Sequence, residues 1–348
     1  MIRWTLPDGR GLDLDATFGK HLDVLGLKGT SLDEVRAYAT HLAARASALY
    51  GEGAPRRELS SCPCCDEPAA ASVEALRVYG VPYHRCERCG HVFVRSQPAQ
   101  DALEASFAES DELAAAYTDR AGAERRVDAI ALPKLRWATD AYRRAHGRTP
   151  ASIVDVGAGG GHFVAACLRE GLSASGYELS SASRAFAAAT FGIELRDDDF
   201  LAGGGEQFDL VTLFGLLEYT PEPRRFLRAA RQRLTDAGLL VVEVPRFDCL
   251  GTSVQRTWPE IVARHLDPTS HVNCFSDTSL ACALDAEGFE PVAAWYFGMD
   301  AYELLVQLAL RLGEPMFATA GDALLALQPA LDAACFCDDL VVAARPSA

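Results

Sequence analysis

No stretch of this chain approaches the roughly 20 consecutive apolar residues needed to cross a bilayer. Its first residues, MIRWTLPDGRG, also lack the basic and then apolar pattern of an export signal. A cytoplasmic protein is therefore expected. Basic charge is scarce: 33 Lys and Arg stand against 48 Asp and Glu, for a formal net charge of −15. A surface that tracks phosphates needs a surplus of cations gathered on one face. Here the nearest approach is scattered through 124–148, so nucleic acid is not an expected partner. Internal repeats and low-complexity tracts are absent. With no export signal, the eleven cysteines argue against a disulfide framework. What remains is a chain of 348 residues, 49% hydrophobic and 23% charged, enough for two domains or one large domain with an extension.

The pattern along the chain divides it into four parts. Residues 1–60 read as an N-terminal lead-in, with a turn at Pro7-Asp8-Gly9 and a helix opened by the capping box Ser31-Leu-Asp-Glu34. Residues 61–97 hold five of the cysteines, and 98–148 read as a helical linker or lid in which Tyr117 is a candidate cover for a ligand. From 149 to 348 the pattern becomes strand, turn, helix, repeated. The candidate strands are SIVDV, SASGYE, IELR, DLVTLF, LLVVEV, EPVAAWYF and DDLVVAAR. That alternation predicts an α/β fold, a mostly parallel sheet covered on both faces. An apolar helical pair over 300–333 is inserted before the last strand.

The stretch VDVGAGGGHF, residues 154–163, runs from a strand into clustered glycines. A triphosphate loop closes with Lys and then Ser or Thr, whereas this one closes with His162-Phe163. The dinucleotide fingerprint G-x-G-x-x-G places a glycine where this chain has His162. Asp155, just before the loop, would oppose a pyrophosphate but suits an ammonium group. S-adenosylmethionine (SAM) carries an α-amino group and a sulfonium, and no phosphate. Glu178 ends the second strand in GYELS, 23 positions after Asp155, where an acid can accept both ribose hydroxyls.

With these motifs, the DDDF of 197–200, FDLVTLFGLLEYTPEP of 208–223 and LLVVEVP of 239–245, the stretch 151–345 resembles the class I SAM-dependent methyltransferases. The resemblance implies a Rossmann-like sheet of seven strands with the final strand antiparallel. It also implies that Asp155, Gly157, Gly159 and Gly161 line the methionine part of SAM. Glu178 and Leu179 would meet the ribose, Asp199 and Phe200 the adenine edge and face, and Phe214 and Gly215 the sulfonium side. Relatives commonly read Leu-Glu-His in the fourth motif; this chain has Leu217-Glu218-Tyr219, so a base placed at that histidine does not transfer.

Cys62-x-x-Cys65 and Cys86-x-x-Cys89, separated by twenty residues, sit at the long edge of the spacing for structural zinc. Four thiolates close a tetrahedral Zn²⁺ site and leave no position for water. Cys64 could replace Cys62 or Cys65, and His84 and His91 are possible substitutes. A zinc ribbon before a SAM fold is similar to a bacterial group of small-molecule methyltransferases that includes deoxysugar C-methyltransferases.

The chemistry is expected in the long segment from Arg246 to Ser276, which carries Trp258, His265 and HVNCFS. An imidazole ordinarily titrates near neutrality, so His271 is the first candidate for general base, with Asn273 beside it and Glu218 and Tyr219 next in line. The expected activity is SAM-dependent C-, O- or N-methylation of a small molecule in natural-product biosynthesis, with the helical segments walling the pocket or forming a homodimer. Two other readings remain open, a zinc-ribbon RNA methyltransferase and a SAM-fold protein that binds without turnover.

Overall fold

The computed structural model describes residues 1–28, 31–99, 102, 120, 122–202, 205–258 and 265–347; Tyr117 lies outside them. In chain order the strands are β1 (Ile2–Thr5), β2 (Gly11–Phe18), β3 (Arg56–Glu58), β4 (Ser72–Val78), β5 (Val81–Cys86), β6 (Val92–Val94) and β7 (Ser96–Pro98). They continue as β8 (Ile153–Val156), β9 (Ala174–Tyr177), β10 (Phe208–Phe214), β11 (Leu234–Pro245), β12 (Asn273–Cys274), β13 (Phe289–Phe297) and β14 (Asp339–Pro346). The main helices are α1 (Leu32–Tyr50), α2 (Leu132–His146), α3 (His162–Arg169), α4 (Ser181–Phe191) and α5 (Pro223–Arg233). They are followed by α6 (Leu250–Thr257), α7 (Asp277–Ala286), α8 (Asp300–Leu312), α9 (Pro315–Leu325) and α10 (Gln328–Ala333). None of the described helices is long and apolar enough to cross a membrane.

The large sheet has eight strands in the order β1-β2-β13-β14-β11-β10-β8-β9. Its centre is built from β8, β10 and β11, whose residues are buried almost without interruption. That is why these strands read as continuous apolar runs rather than alternating ones. β14 runs antiparallel to both β11 and β13, as expected for the final strand. One apolar layer, with α2 and α3, covers one face. The other face packs against α5 and α7 together with the buried cysteines of the N-terminal third.

Three features differ from the sequence expectation. IELR forms a single bridge, Tyr177 to Arg196, rather than a strand. Ile193 and Leu195 sink into a small cluster with Ala187 and Val164, while Arg196 turns to Asp198 and Glu206, so only one rung forms. Residues 300–333 make three helices instead of a pair. The lead-in is more than a turn and a helix: β1 and β2 form a hairpin whose second strand runs parallel to β13, extending the sheet by two strands.

A relay of polar groups fastens this hairpin. The Trp4 indole N–H donates to Tyr296 Oη at 2.7 Å, and that hydroxyl donates to Asp277 at 2.9 Å. Arg246 in turn donates to Asp277 at 2.9 Å and to the carbonyls of Cys335 and Cys337. Trp4 is 3% exposed. Trp4→Ala is therefore expected to cost about 3–5 kcal/mol in urea denaturation, as for other buried aromatic truncations. An unchanged midpoint would mean that the hairpin is not integral to the sheet.

Candidate functional site

After β8 the chain turns sharply through Gly157, Gly159 and Gly161, at φ 74°, 52° and 76°, into α3. This region penalises any residue with a Cβ. Crowding adds to the requirement: a Cβ on Gly161 would stand 3.0 Å from the Ala187 methyl. The N–H groups of Gly157 and Ala158 both donate to the Tyr177 carbonyl at the end of β9. Glu178, the next residue, spans the loop. Its two oxygens accept from the N–H groups of Gly159 at 2.8 Å and Ser180 at 2.7 Å. Arg184 fixes the carbonyls of Glu178 and Leu179, and the Leu179 side chain is exposed.

Asp155 lies one strand position before the loop and is buried beside Thr212, its partner in β10. The Thr212 hydroxyl donates to it at 2.6 Å. Burial pushes its carboxyl up to about 7, against the pull of Thr212 and Lys134. Lys134 on α2 pairs with Glu243, and its ammonium lies 5.0 Å from the centre of the Phe214 ring. This buried pair was missed in the sequence reading. Its signal was Glu243 itself, an acid inside an apolar strand run that demands a cationic partner.

Gly215 follows β10 with φ 59°, and a Cβ there would stand 3.3 Å from Glu218 Oε1. The Glu218 carboxyl thus folds back over the tip of the fourth expected strand. It is buried, its Oε2 makes no hydrogen bond among the described residues, and burial raises it to about 8. His271 Nε2 is 3.1 Å from Tyr219 Oη, with the rings edge to face at 4.9 Å. Glu218, Tyr219 and His271 are therefore neighbours at the carboxyl edge of the sheet.

Asn273 does not join them as a reacting group. Its Nδ2 donates to the carbonyls of Leu217 at 3.2 Å and Thr220 at 2.6 Å, and its Oδ1 accepts from His91 at 3.0 Å. Every polar atom of the side chain is engaged, so the catalytic reading is corrected to a structural one. Phe200 is corrected likewise. Its ring is 3% exposed, between Tyr177 and Arg233, so no face is open to a purine. Asp199 caps the short turn that follows by accepting from the Leu201 N–H. The Trp258 ring lies 4.3 Å from the Arg311 guanidinium. His265 bonds Thr252 Oγ1 at 2.8 Å.

Cys62, Cys65, Cys86 and Cys89 place their four Sγ atoms within 4.8 Å of one another. Two Sγ–Sγ distances are 3.6 Å, Cys62 to Cys89 and Cys65 to Cys86. Tetrahedral bonds of about 2.3 Å require sulfur separations of about 3.8 Å, so the cluster fits a zinc-sized ion. Cys64 is buried outside this set, and its thiol is pushed up by burial. His91 is committed to Asn273, and His84 is likewise outside the set. A second group of donors, His265, Glu303 and Asp338, lies within the same limit, but each has further partners in the fold.

The burial of Asp155 has a consequence for stability. A carboxyl raised from its ordinary value to about 7 in the fold contributes stability at acid pH that is lost as pH rises from about 4 through 7. Asp155→Asn removes that loss. Between pH 5 and 8, its unfolding free energy should fall less than that of the parent, by about 2–3 kcal/mol. Parallel urea curves across this range would contradict the buried-acid assignment.

Residues 125–294 match a protein family described as a methyltransferase domain. A ubiquinone biosynthesis O-methyltransferase of Caulobacter sp. (strain K31) is 27% identical over 140 residues, 37% of this chain and 56% of that protein. Its counterpart in Methylobacterium sp. (strain 4-46) is 27% identical over 157 residues, 41% of this chain and 62% of that protein. The chain thus spans little more than half the length of the first of these curated relatives. Among solved structures, the 1,6-didemethyltoxoflavin-N1-methyltransferase of Burkholderia thailandensis superposes with a TM-score of 0.45 at 19% identity, over 74% of this chain and 95% of that one. The glycine turn, Asp155, Glu178 and the Tyr219–His271 pair all fall inside residues 125–294, the span that matches the methyltransferase-domain family, on a mixed α/β fold.

Proposed function

We propose that the chain is a SAM-dependent methyltransferase acting on a carbon, oxygen or nitrogen of a small molecule in natural-product biosynthesis. The observation that carries this reading is the buried Asp155 beside a positive-φ glycine turn that Glu178 latches from the far side. When bound, SAM supplies an electrophilic methyl group on its sulfonium. The ionised Asp155 carboxylate would hold the ammonium group, and the loop N–H groups the carboxylate end. Each Glu178 oxygen accepts one backbone N–H and retains lone-pair capacity for a ribose hydroxyl. Asp199 would meet the adenine edge, with Phe214 and Gly215 under the reacting sulfur.

On the acceptor side, His271 is the base. The Tyr219 hydroxyl beside its Nε2 orients the imidazole, which would take the acceptor's proton as the methyl carbon leaves the sulfur, now a neutral thioether, and bonds to the acceptor. Glu218, raised to about 8 by burial, is a neutral acid at neutral pH and is unsuited to be that base. The four cysteines would hold a structural Zn²⁺ in a ribbon over 61–97, with 149–348 as the catalytic domain. Residues 1–18 add two strands to the catalytic sheet. The helices of 300–333 would wall the pocket or join two copies. The acidic balance of the chain favours a small acceptor over RNA.

Two outcomes are expected. His271→Ala should lower kcat at least about tenfold, a modest share of general-base catalysis, while calorimetric affinity for SAM stays the same; unaltered turnover would retire the assignment. Elemental analysis of the purified chain should find one zinc for the four thiols, and a content well below that would defeat the ribbon.

A further inference from the structure

The ribbon cysteines lie far in sequence from the reaction-side residues, yet the two are joined at close quarters. The ribbon sheet runs β12-β6-β5-β4, so its edge strand is Asn273–Cys274, taken from the methyltransferase domain. The Val94 N–H donates to the Val272 carbonyl at 2.9 Å, and Tyr83 Oη donates to the His271 carbonyl at 2.7 Å. Ser276 Oγ donates to the Cys89 carbonyl at 3.1 Å. Exposed ion pairs such as Arg85–Asp248 also cross this boundary, but pairs of that kind contribute little. The buried contacts converge on residues 271–276.

From there a relay reaches the turn that carries Glu218 and Tyr219. The Val272 and Asn273 N–H groups both donate to the Glu218 carbonyl, at 2.9 and 3.2 Å. The Asn273 side chain ties the carbonyls on either side, those of Leu217 and Thr220. Its oxygen can only accept, so His91 Nε2 carries the hydrogen of the 3.0 Å bond between them. His91 and Asn273 are both fully buried, and the His91 ring lies 4.8 Å from Phe275. Water cannot replace the donor at such a site, so losing it would leave an unsatisfied oxygen on a side chain that fixes the turn.

We propose that His91 is a positioning residue for methyl transfer: through Asn273 it makes the cysteine ribbon set the placement of Glu218 and Tyr219. This rests on the functional reading above, in which those residues face the acceptor. It gives the ribbon a role in the reaction, through the chain's own hydrogen bonds, without any contact between metal and substrate.

The test compares His91→Phe, which fills the space without a donor, with His91→Gln, whose amide nitrogen can stand where Nε2 does. Hydrogen exchange is read at the Val272 and Asn273 amides, with zinc content and calorimetric binding of S-adenosylhomocysteine as controls. In H91F these two amides should exchange roughly tenfold faster, with zinc retained, binding of S-adenosylhomocysteine unchanged, and the β4–β5 amides as protected as before. H91Q should restore slow exchange. Parent-like exchange in H91F, or H91Q no better than H91F, would overturn the proposal. If H91F loses its zinc and its fold, Asn273→Leu is read in the same way from the other end of the bond. Failure of the parent protein to bind S-adenosylhomocysteine would instead strike the methyltransferase reading, and the exchange comparison would still stand.

Discussion

The turn between β8 and α3 is the constraint on which the rest of the site depends. Three glycines at positive φ let the backbone double back within a few residues, and a carboxylate from the neighbouring strand end closes the loop by accepting its N–H. Because β8 and β9 are paired in register, Asp155 and Glu178 emerge at the same edge of the sheet. One acid is buried and raised, while the other is held by two backbone N–H groups. Two acids flank a glycine turn that has no lysine in it, the charge pattern on which the proposal of a cationic ligand rather than a phosphate rests.

The same sheet gathers the remaining charges. β10 sets Thr212 against Asp155, and β11 sets Glu243 against Phe214. Lys134 arrives from α2 to neutralise Glu243. Buried ionised groups are tolerated only when paired; Glu218, with no cation bonded to it among the described residues, is raised by burial to about 8. The turn that carries Glu218 and Tyr219 is fastened by the small cysteine sheet, which borrows Asn273–Cys274 as its edge strand. The cysteine sheet and the large sheet are therefore packed together on that side, and the cysteines share the apolar layer that contains α5 and α7.

What could be read from the sequence was what is local in it. The glycine turn, Asp155, Glu178, the paired Cys-x-x-Cys motifs and the final strand each depend on residues within a short window. What escaped depends on partners far away. LDLDATF alternates Leu12, Leu14, Ala16 and Phe18 with polar residues, a strand signal, but its partner β13 lies some 280 residues on. The Lys134–Glu243 pair and the His91–Asn273 bond join residues 109 and 182 positions apart. Phe200 illustrates the reverse error. Its place in the DDDF motif drew a binding role, whereas Tyr177 and Arg233 enclose its ring.

The most direct test is a crystal structure of the chain with S-adenosylhomocysteine bound. The ammonium group is expected within hydrogen-bond distance of Asp155, both ribose hydroxyls on Glu178, and the sulfur facing Gly215. A nucleoside seated elsewhere, or one that leaves both acids in contact with protein groups alone, would contradict the account.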